Sequence, residues 1–204
     1  MKQYNKRIRI ILLTIVMIMS LSLSACSSDT SGNDDSTPTE TAGLVKVEIT
    51  MESGGVIELE LDRSAAPITV ENFVKLAEDG FYDGLTFHRI IPGFMIQGGD
   101  PKGTGAGGSD KSIKGEFADN GHENPISHER GVISMARRGN DNDSATCQFF
   151  ITNADSQRSL DGQYAAFGHV TSGMDVVDEI SEVDTDGNDK PLEDVVIKTI
   201  RVIG

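Results

Sequence analysis

The chain has 204 residues, room for one sizeable domain once its ends are set aside. Its 32 Asp+Glu against 18 Lys+Arg give a formal charge of −14. That balance argues against nucleic acid as a partner and against electrostatic adsorption to anionic lipid.

Residues 1–25 carry Lys2, Lys6, Arg7 and Arg9, then a mostly apolar run from Ile10 to Leu23, then Ser24 and Ala25 ahead of Cys26. A basic start, a short apolar stretch and small residues before a cleavage point describe an export signal. The Cys directly after Leu-Ser-Ala resembles a bacterial lipobox, in which Cys26 is diacylated and becomes the mature N-terminus. Two acyl chains anchor a protein without a transmembrane helix, so the expected location is the extracytoplasmic face of the cell membrane, held by lipid alone. Cleavage there removes four basic residues and no acidic one; 18 less four leaves 14 Lys+Arg against 32 Asp+Glu, a formal charge of −18. Residues 26–43 are rich in Ser, Thr, Asp, Gly and Pro and read as a flexible tether. Cys147 then stands alone, so no intrachain disulfide is expected, and its place before Phe149-Phe150 predicts a small buried core residue.

Residues 44–204 form the expected folded domain. Val45–Met51 and Val56–Leu61 alternate with period two around Ser53-Gly54-Gly55 and predict a hairpin. Pro67 to Asp79 switches to helical spacing, with Val70, Phe73, Val74, Leu76 and Ala77 on one face, Pro67 in the first turn and Gly80 at the stop. Further strands are predicted at Thr86–Ile91, Met95–Gly98, Val132–Ala136, Gln148–Thr152, Ala165–Val170 and Val195–Val202. A second helix, Met174 to Val183, is predicted with Ser172 as its cap and Val176, Val177 and Ile180 buried. Eight strands and two helices without βαβ alternation predict a mainly β fold, an antiparallel barrel closed by helices over its ends.

The most informative stretch is Phe87-His88-Arg89-Ile90-Ile91-Pro92-Gly93-Phe94-Met95-Ile96-Gln97-Gly98-Gly99-Asp100. Two short strands meet through a Pro-Gly turn, with Arg89 and Ile91 on one face of the first and Met95 and Gln97 on one face of the second. A guanidinium and an amide thus sit among Phe, Ile and Met, where folding alone favours apolar residues. Three further blocks accompany it: Ser134-Met135-Ala136-Arg137, Gln148-Phe149-Phe150-Ile151-Thr152, and Leu160-Asp161-Gly162-Gln163-Tyr164-Ala165-Ala166-Phe167-Gly168. Together they resemble the cyclophilin-type peptidyl-prolyl cis-trans isomerases. The resemblance covers Val45 to Gly204 and implies a closed eight-stranded antiparallel β-barrel capped by two α-helices.

The implied reaction is rotation about an X-Pro amide, which proceeds through a twisted, deconjugated nitrogen and needs no covalent step. A donor aimed at that nitrogen stabilises the twisted state more than either planar one. Arg89 is the expected donor, being permanently charged with fixed N–H geometry. By resemblance, Phe94, Met95, Phe150 and Leu160 build the proline pocket. Gln97 holds the substrate carbonyl and orients Arg89, and Ala136 and Arg137 pair with the substrate backbone. The expected partners are proline-containing segments of exported polypeptides, handled by a monomer.

Two departures from the family pattern stand out. Ser159 occupies the place of a common pocket Trp, which argues against tight cyclosporin-type binding. Tyr164 stands where a His often follows the Leu-Asp-Gly block, keeping a flat ring and a polar tip as an expected substrate-binding residue. The loop Arg138–Thr146 is slightly longer than the common pattern. These departures motivate a rival reading, a proline-peptide-binding or holdase module with little turnover. A solute-binding lipoprotein needs a larger, two-lobed domain.

No cofactor and no metal are expected. Gly103–Gly108 fits G-x-G-x-x-G by letter but precedes no helix, and reads as a mobile loop rimming the groove. Asp184–Asp189 lacks the Gly and Glu positions of a calcium loop and reads as a solvated turn. His122-Glu123 and His128-Glu129 miss the spacing of a zinc helix, and no catalytic triad is apparent.

Overall fold

The computed structural model describes residues 43–155 and 157–203. The expected export signal, Cys26 and all of the tether but Gly43 lie outside the described residues. In chain order the elements are β1 (Leu44–Met51), β2 (Val56–Asp62), α1 (Pro67–Glu78), β3 (Thr86–Ile91), β4 (Met95–Gly98), β5 (Val132–Met135), β6 (Phe149–Thr152), β7 (Ala166–Ser172), α2 (Met174–Ser181) and β8 (Val195–Val202). All neighbours pair antiparallel, and the sheet closes in the order β1-β2-β7-β5-β6-β4-β3-β8.

Period two fills the barrel. Ile90, Ile96, Ile151 and Ile133 stand opposite one another across β3, β4, β6 and β5, and each is fully buried. On the far wall Ile57, Ile49 and Ile200 make the matching row across β2, β1 and β8. Helix α1 sets Val70, Phe73, Val74 and Ala77 on the core, and the Phe73 ring lies 5.1–5.4 Å from those of Tyr82, Phe149 and Phe167.

The ends of α1 are satisfied in different ways. At its C-terminus Gly80 (φ 70°) lets Phe81 N–H reach Leu76 O at 2.9 Å and its own N–H reach Ala77 O at 3.1 Å. At its N-terminus Ala66 offers no capping side chain, and the buried Glu116 carboxylate accepts from Ile68 N–H at 3.1 Å and Thr69 N–H at 2.8 Å. That cap comes from 47–48 residues away.

Helix α2 differs from expectation. Its N-cap is Gly173 (φ 85°), not Ser172, which belongs to β7, and the helix ends at Ser181. A Cβ at Gly173 would collide with the Val56 carbonyl oxygen, so the chain can turn from β7 into α2 over β2 only through glycine. Val177 and Ile180 are buried, while Val176 is only half-buried against the core. Cys147 is fully buried, as its sequence context predicts.

Candidate active site

The register that lines up the isoleucines on the inside aligns a second row, one residue over, on the outside. Arg89 pairs with Gln97, Gln97 with Phe150 and Phe150 with Ser134 across β3, β4, β6 and β5. The turn between β3 and β4 places Pro92 and Gly93 (φ 70°) centrally, closed by Phe94 N–H on Ile91 O at 3.1 Å. Asn153 N–H then fixes Phe94 O at 3.1 Å, tying that turn to the end of β6.

All nine residues expected at the site line one cavity of about 140 Å³: Arg89, Phe94, Met95, Gln97, Ala136, Arg137, Phe150, Leu160 and Tyr164. Met95 and Phe150 are 2% and 5% exposed and form its depths. Pockets that enclose whole small molecules run to roughly 300–1,000 Å³, so this one suits a single ring or side chain. Larger hollows exist, one of about 830 Å³ between the β1–β2 turn, α2 and the start of β8. Its polar side chains are carboxylates and a lone Ser, and no amide or guanidinium faces it. Size alone does not select the site; the donors do.

The polar links differ from expectation. Gln97 does not bond Arg89; its Nε2 donates to Gln148 Oε1 at 2.8 Å. Gln148 in turn donates to Gly105 O at 3.1 Å and Gly107 O at 2.8 Å. The glycine-rich loop is tied down rather than loose, since Asp100 also accepts from Lys102 N–H, Thr104 N–H and Gly107 N–H at 2.8–3.1 Å. Burial pushes the Asp100 carboxyl up, but those bonds outweigh it and hold the group below its ordinary value.

Arg89 is held instead by Asp189, whose carboxylate lies 3.4 Å from Nε, with the two side chains 43% and 44% exposed. Asp189 adopts φ 63°, and its carbonyl accepts from Ile90 N–H at 2.8 Å. The turn read as merely solvated therefore docks on β3 beside the site. Its Asp-Gly-Asn-Asp run is visible in the sequence, and its place just before β8, which pairs with β3, is the signal that could have found it.

A third missed group lies under Phe150. His128 stacks on that ring at 6.0 Å and 16°. Its Nδ1 is 2.8 Å from Asp161 Oδ1 and its Nε2 3.0 Å from Ser134 Oγ. Burial pushes the imidazole below its ordinary pKa, with Asp161 opposing, so His128 is neutral at pH 7. A carboxylate only accepts, so Nδ1–H donates to Asp161 and Nε2 accepts from Ser134. The order Ser-His-Asp is that of a hydrolytic triad, yet Ser134 is fully buried and no acyl group can reach it. The relay fixes the ring on which Phe150 rests. Phe150 meets Tyr164 edge-on at 5.8 Å, and the Arg137 guanidinium lies 4.9 Å from the Tyr164 ring and 5.1 Å from that of Phe117. Ser159, in place of the Trp, is exposed and outside the cavity.

The sequence model described as cyclophilin type peptidyl-prolyl cis-trans isomerase/CLD matches residues 46–202. The chain is 47% identical over 154 residues to peptidyl-prolyl cis-trans isomerase B of Bacillus subtilis, covering 76% of this chain and 95% of that one. It is 46% identical over 146 residues to mouse peptidyl-prolyl cis-trans isomerase-like 1, covering 71% and 85%. A crystal structure of a Cryptosporidium parvum cyclophilin-type isomerase superposes with a TM-score of 0.72 at 32% identity, over 79% of this chain and 98% of that one. The same protein was also crystallised in the presence of the dipeptide Ala-Pro, and that structure gives a TM-score of 0.71.

Proposed function

The chain belongs to the cyclophilin-type peptidyl-prolyl cis-trans isomerase family and is itself such an isomerase, and from that premise we propose that the cavity beside Arg89 turns X-Pro bonds of exported polypeptides as they fold. The uncatalysed barrier is ~18–20 kcal/mol, and millisecond turnover needs ~5–6 kcal/mol removed from it. The proline ring enters between Phe94, Met95, Phe150 and Leu160, out of water. Arg89, oriented by Asp189, donates to the prolyl nitrogen as it loses conjugation. A charge-assisted bond contributes about 1.5–3 kcal/mol and more where water is excluded. Gln97, steadied through Gln148, holds the carbonyl before the proline, and the Ala136–Arg137 backbone grips the flanking chain. Tyr164 closes the rim. Nothing covalent forms, and the chain works without metal or cofactor.

Catalysis takes place on the extracytoplasmic face of the cell membrane, with Cys26 lipidated and residues 26–43 as the tether. The basic start, apolar run and Leu-Ser-Ala-Cys of the first 26 residues support this placement. The enzyme works as a monomer, a closed barrel offering no sheet edge for a second copy to extend.

The observation that carries the mechanism is the convergence of nine residues from four stretches of chain on one small cavity with a guanidinium on its wall. The test follows a short Ala-Pro peptide relaxing from its cis-enriched state with the purified chain or its Arg89→Ala variant. Acceleration by the wild type, reduced about a hundredfold or more in the variant, is expected. No acceleration by folded wild type would leave the site as a proline-peptide-binding module.

A further inference from the structure

We infer that the Arg137 side chain selects X-Pro segments that carry an acidic residue within two positions of the proline. The inference rests on the reading above, in which the proline ring fills the pocket and the flanking residues cross its rim.

Charge is inverted at this point of the molecule. The chain carries a formal −14, yet the cavity lining holds two guanidiniums and no carboxylate. Arg89 is offset by Asp189. Arg137 is not: among the described residues no carboxylate pairs with it. The neighbouring Arg138 faces Asp141 at 3.7 Å.

The group is also fixed in place. Nε donates to Gln163 O at 2.8 Å, and Nη1 donates to Arg138 O at 3.0 Å and Gly139 O at 3.3 Å. The rings of Phe117 and Tyr164 stand 5.1 and 4.9 Å from its centre. Nη2 makes no hydrogen bond to the described residues. A positive charge held rigid, with one donor edge unspent and no counterion among the described residues, is arranged to meet a carboxylate that arrives with the substrate. The family reading assigns this position only its backbone. The side chain's role comes from its fixation and from the lack of a paired carboxylate among the described residues.

The rim is half-exposed, so the preference is modest. A Glu-bearing substrate gains what a Lys-bearing one loses, together about fivefold in kcat/KM at low salt. The experiment uses the purified full chain and two pairs of Ala-Pro peptides. Within a pair only one residue differs, Glu or Lys, placed before the proline dipeptide in one pair and after it in the other. Each kcat/KM ratio is read at about 20 mM and about 500 mM NaCl, where the Debye length shrinks from about 20 Å to about 4 Å. The wild type should prefer Glu about fivefold in at least one pair at low salt and lose the preference at high salt. Arg137→Gln should bring the ratio near one, and Arg137→Lys should restore most of it. Because each ratio is taken on one preparation, a partly unfolded variant still reports it. Equal acceleration of Glu and Lys peptides by wild type would overturn the inference and leave the isomerase site standing. A preference that survives Arg137→Gln would overturn it too. If neither peptide is accelerated, the site reading itself falls and the inference with it.

Discussion

Across β1, β2 and β7 the outward row runs Lys46, Glu60 and His169, charged and polar groups at the surface. Across β3, β4, β6 and β5 the corresponding row runs Arg89, Gln97, Phe150 and Ser134, half-buried or buried. The inner rows of the two walls are alike, valines, leucines and isoleucines at or near full burial. One wall shows what an outer face needs when it only has to stay soluble. The other departs from that default at four consecutive strands, and each departure is a group that can bind or donate. The difference separates residues that make the barrel from residues that use it.

The neighbours Ile96 and Gln97 break the comparison most sharply, since they point to opposite sides of one strand. Ile96→Ala removes a fully buried side chain and should cost about 2–5 kcal/mol of unfolding free energy, read by urea denaturation, while the folded fraction keeps its kcat/KM. The groove wall also carries the buried histidines, His88 in the β3 bulge and His128 beneath Phe150. Burial lowers the pKa of both. Between the folded and unfolded values the unfolded chain holds more protons, so stability is full above about pH 6.5 and falls as pH drops through the lowered values. The slope is at most about 1.4 kcal/mol per pH unit for each histidine, measured as unfolding free energy against pH. A flat profile from pH 7.5 to 5 would place those rings in water.

Gln97→Ala should lower kcat/KM about tenfold, with about 1 kcal/mol lost in stability from the unpaired Gln148 oxygen. Asp189→Asn keeps the turn but drops the charge opposite Arg89. A kcat/KM reduced roughly twofold to fivefold, with the melting temperature little changed, is expected from a pair this exposed. Glu60→Gln, on the solvated wall, should change stability by less than about 0.5 kcal/mol and leave turnover alone. A large effect there would erase the distinction between the walls.

Much of the site was legible because it rides on period two. Once β3, β4 and β6 were read as strands, Arg89, Gln97 and Phe150 had to leave the inner face occupied by Ile90, Ile96 and Ile151. The Pro-Gly turn fixed how β3 meets β4, and family resemblance supplied Leu160, Ala136, Arg137 and Tyr164. The partners were not legible. Asp189 lies 100 residues from Arg89, and nothing local to either names the other. His128, read as a failed zinc spacing, became the support of Phe150 only when β5 and β6 brought Ser134 beside it. Ser172 looked like a helix cap because its local chemistry suits one, yet the close approach of Gly173 to β2 overrode that preference.

By itself the sequence determined which residues face inward, where the chain turns, and which donor and apolar groups share one face of the β3–β4 pair. Those properties depend on alternation and turn chemistry among adjacent residues. Only the tertiary structure decided what each polar group meets: Arg89 with Asp189, Gln97 with Gln148, α1 with Glu116, and Arg137 with the rings of Phe117 and Tyr164 and, among the described residues, no carboxylate. Such pairings form when barrel closure brings groups distant in the chain together, and those it buries, such as Glu116, must find their partners there.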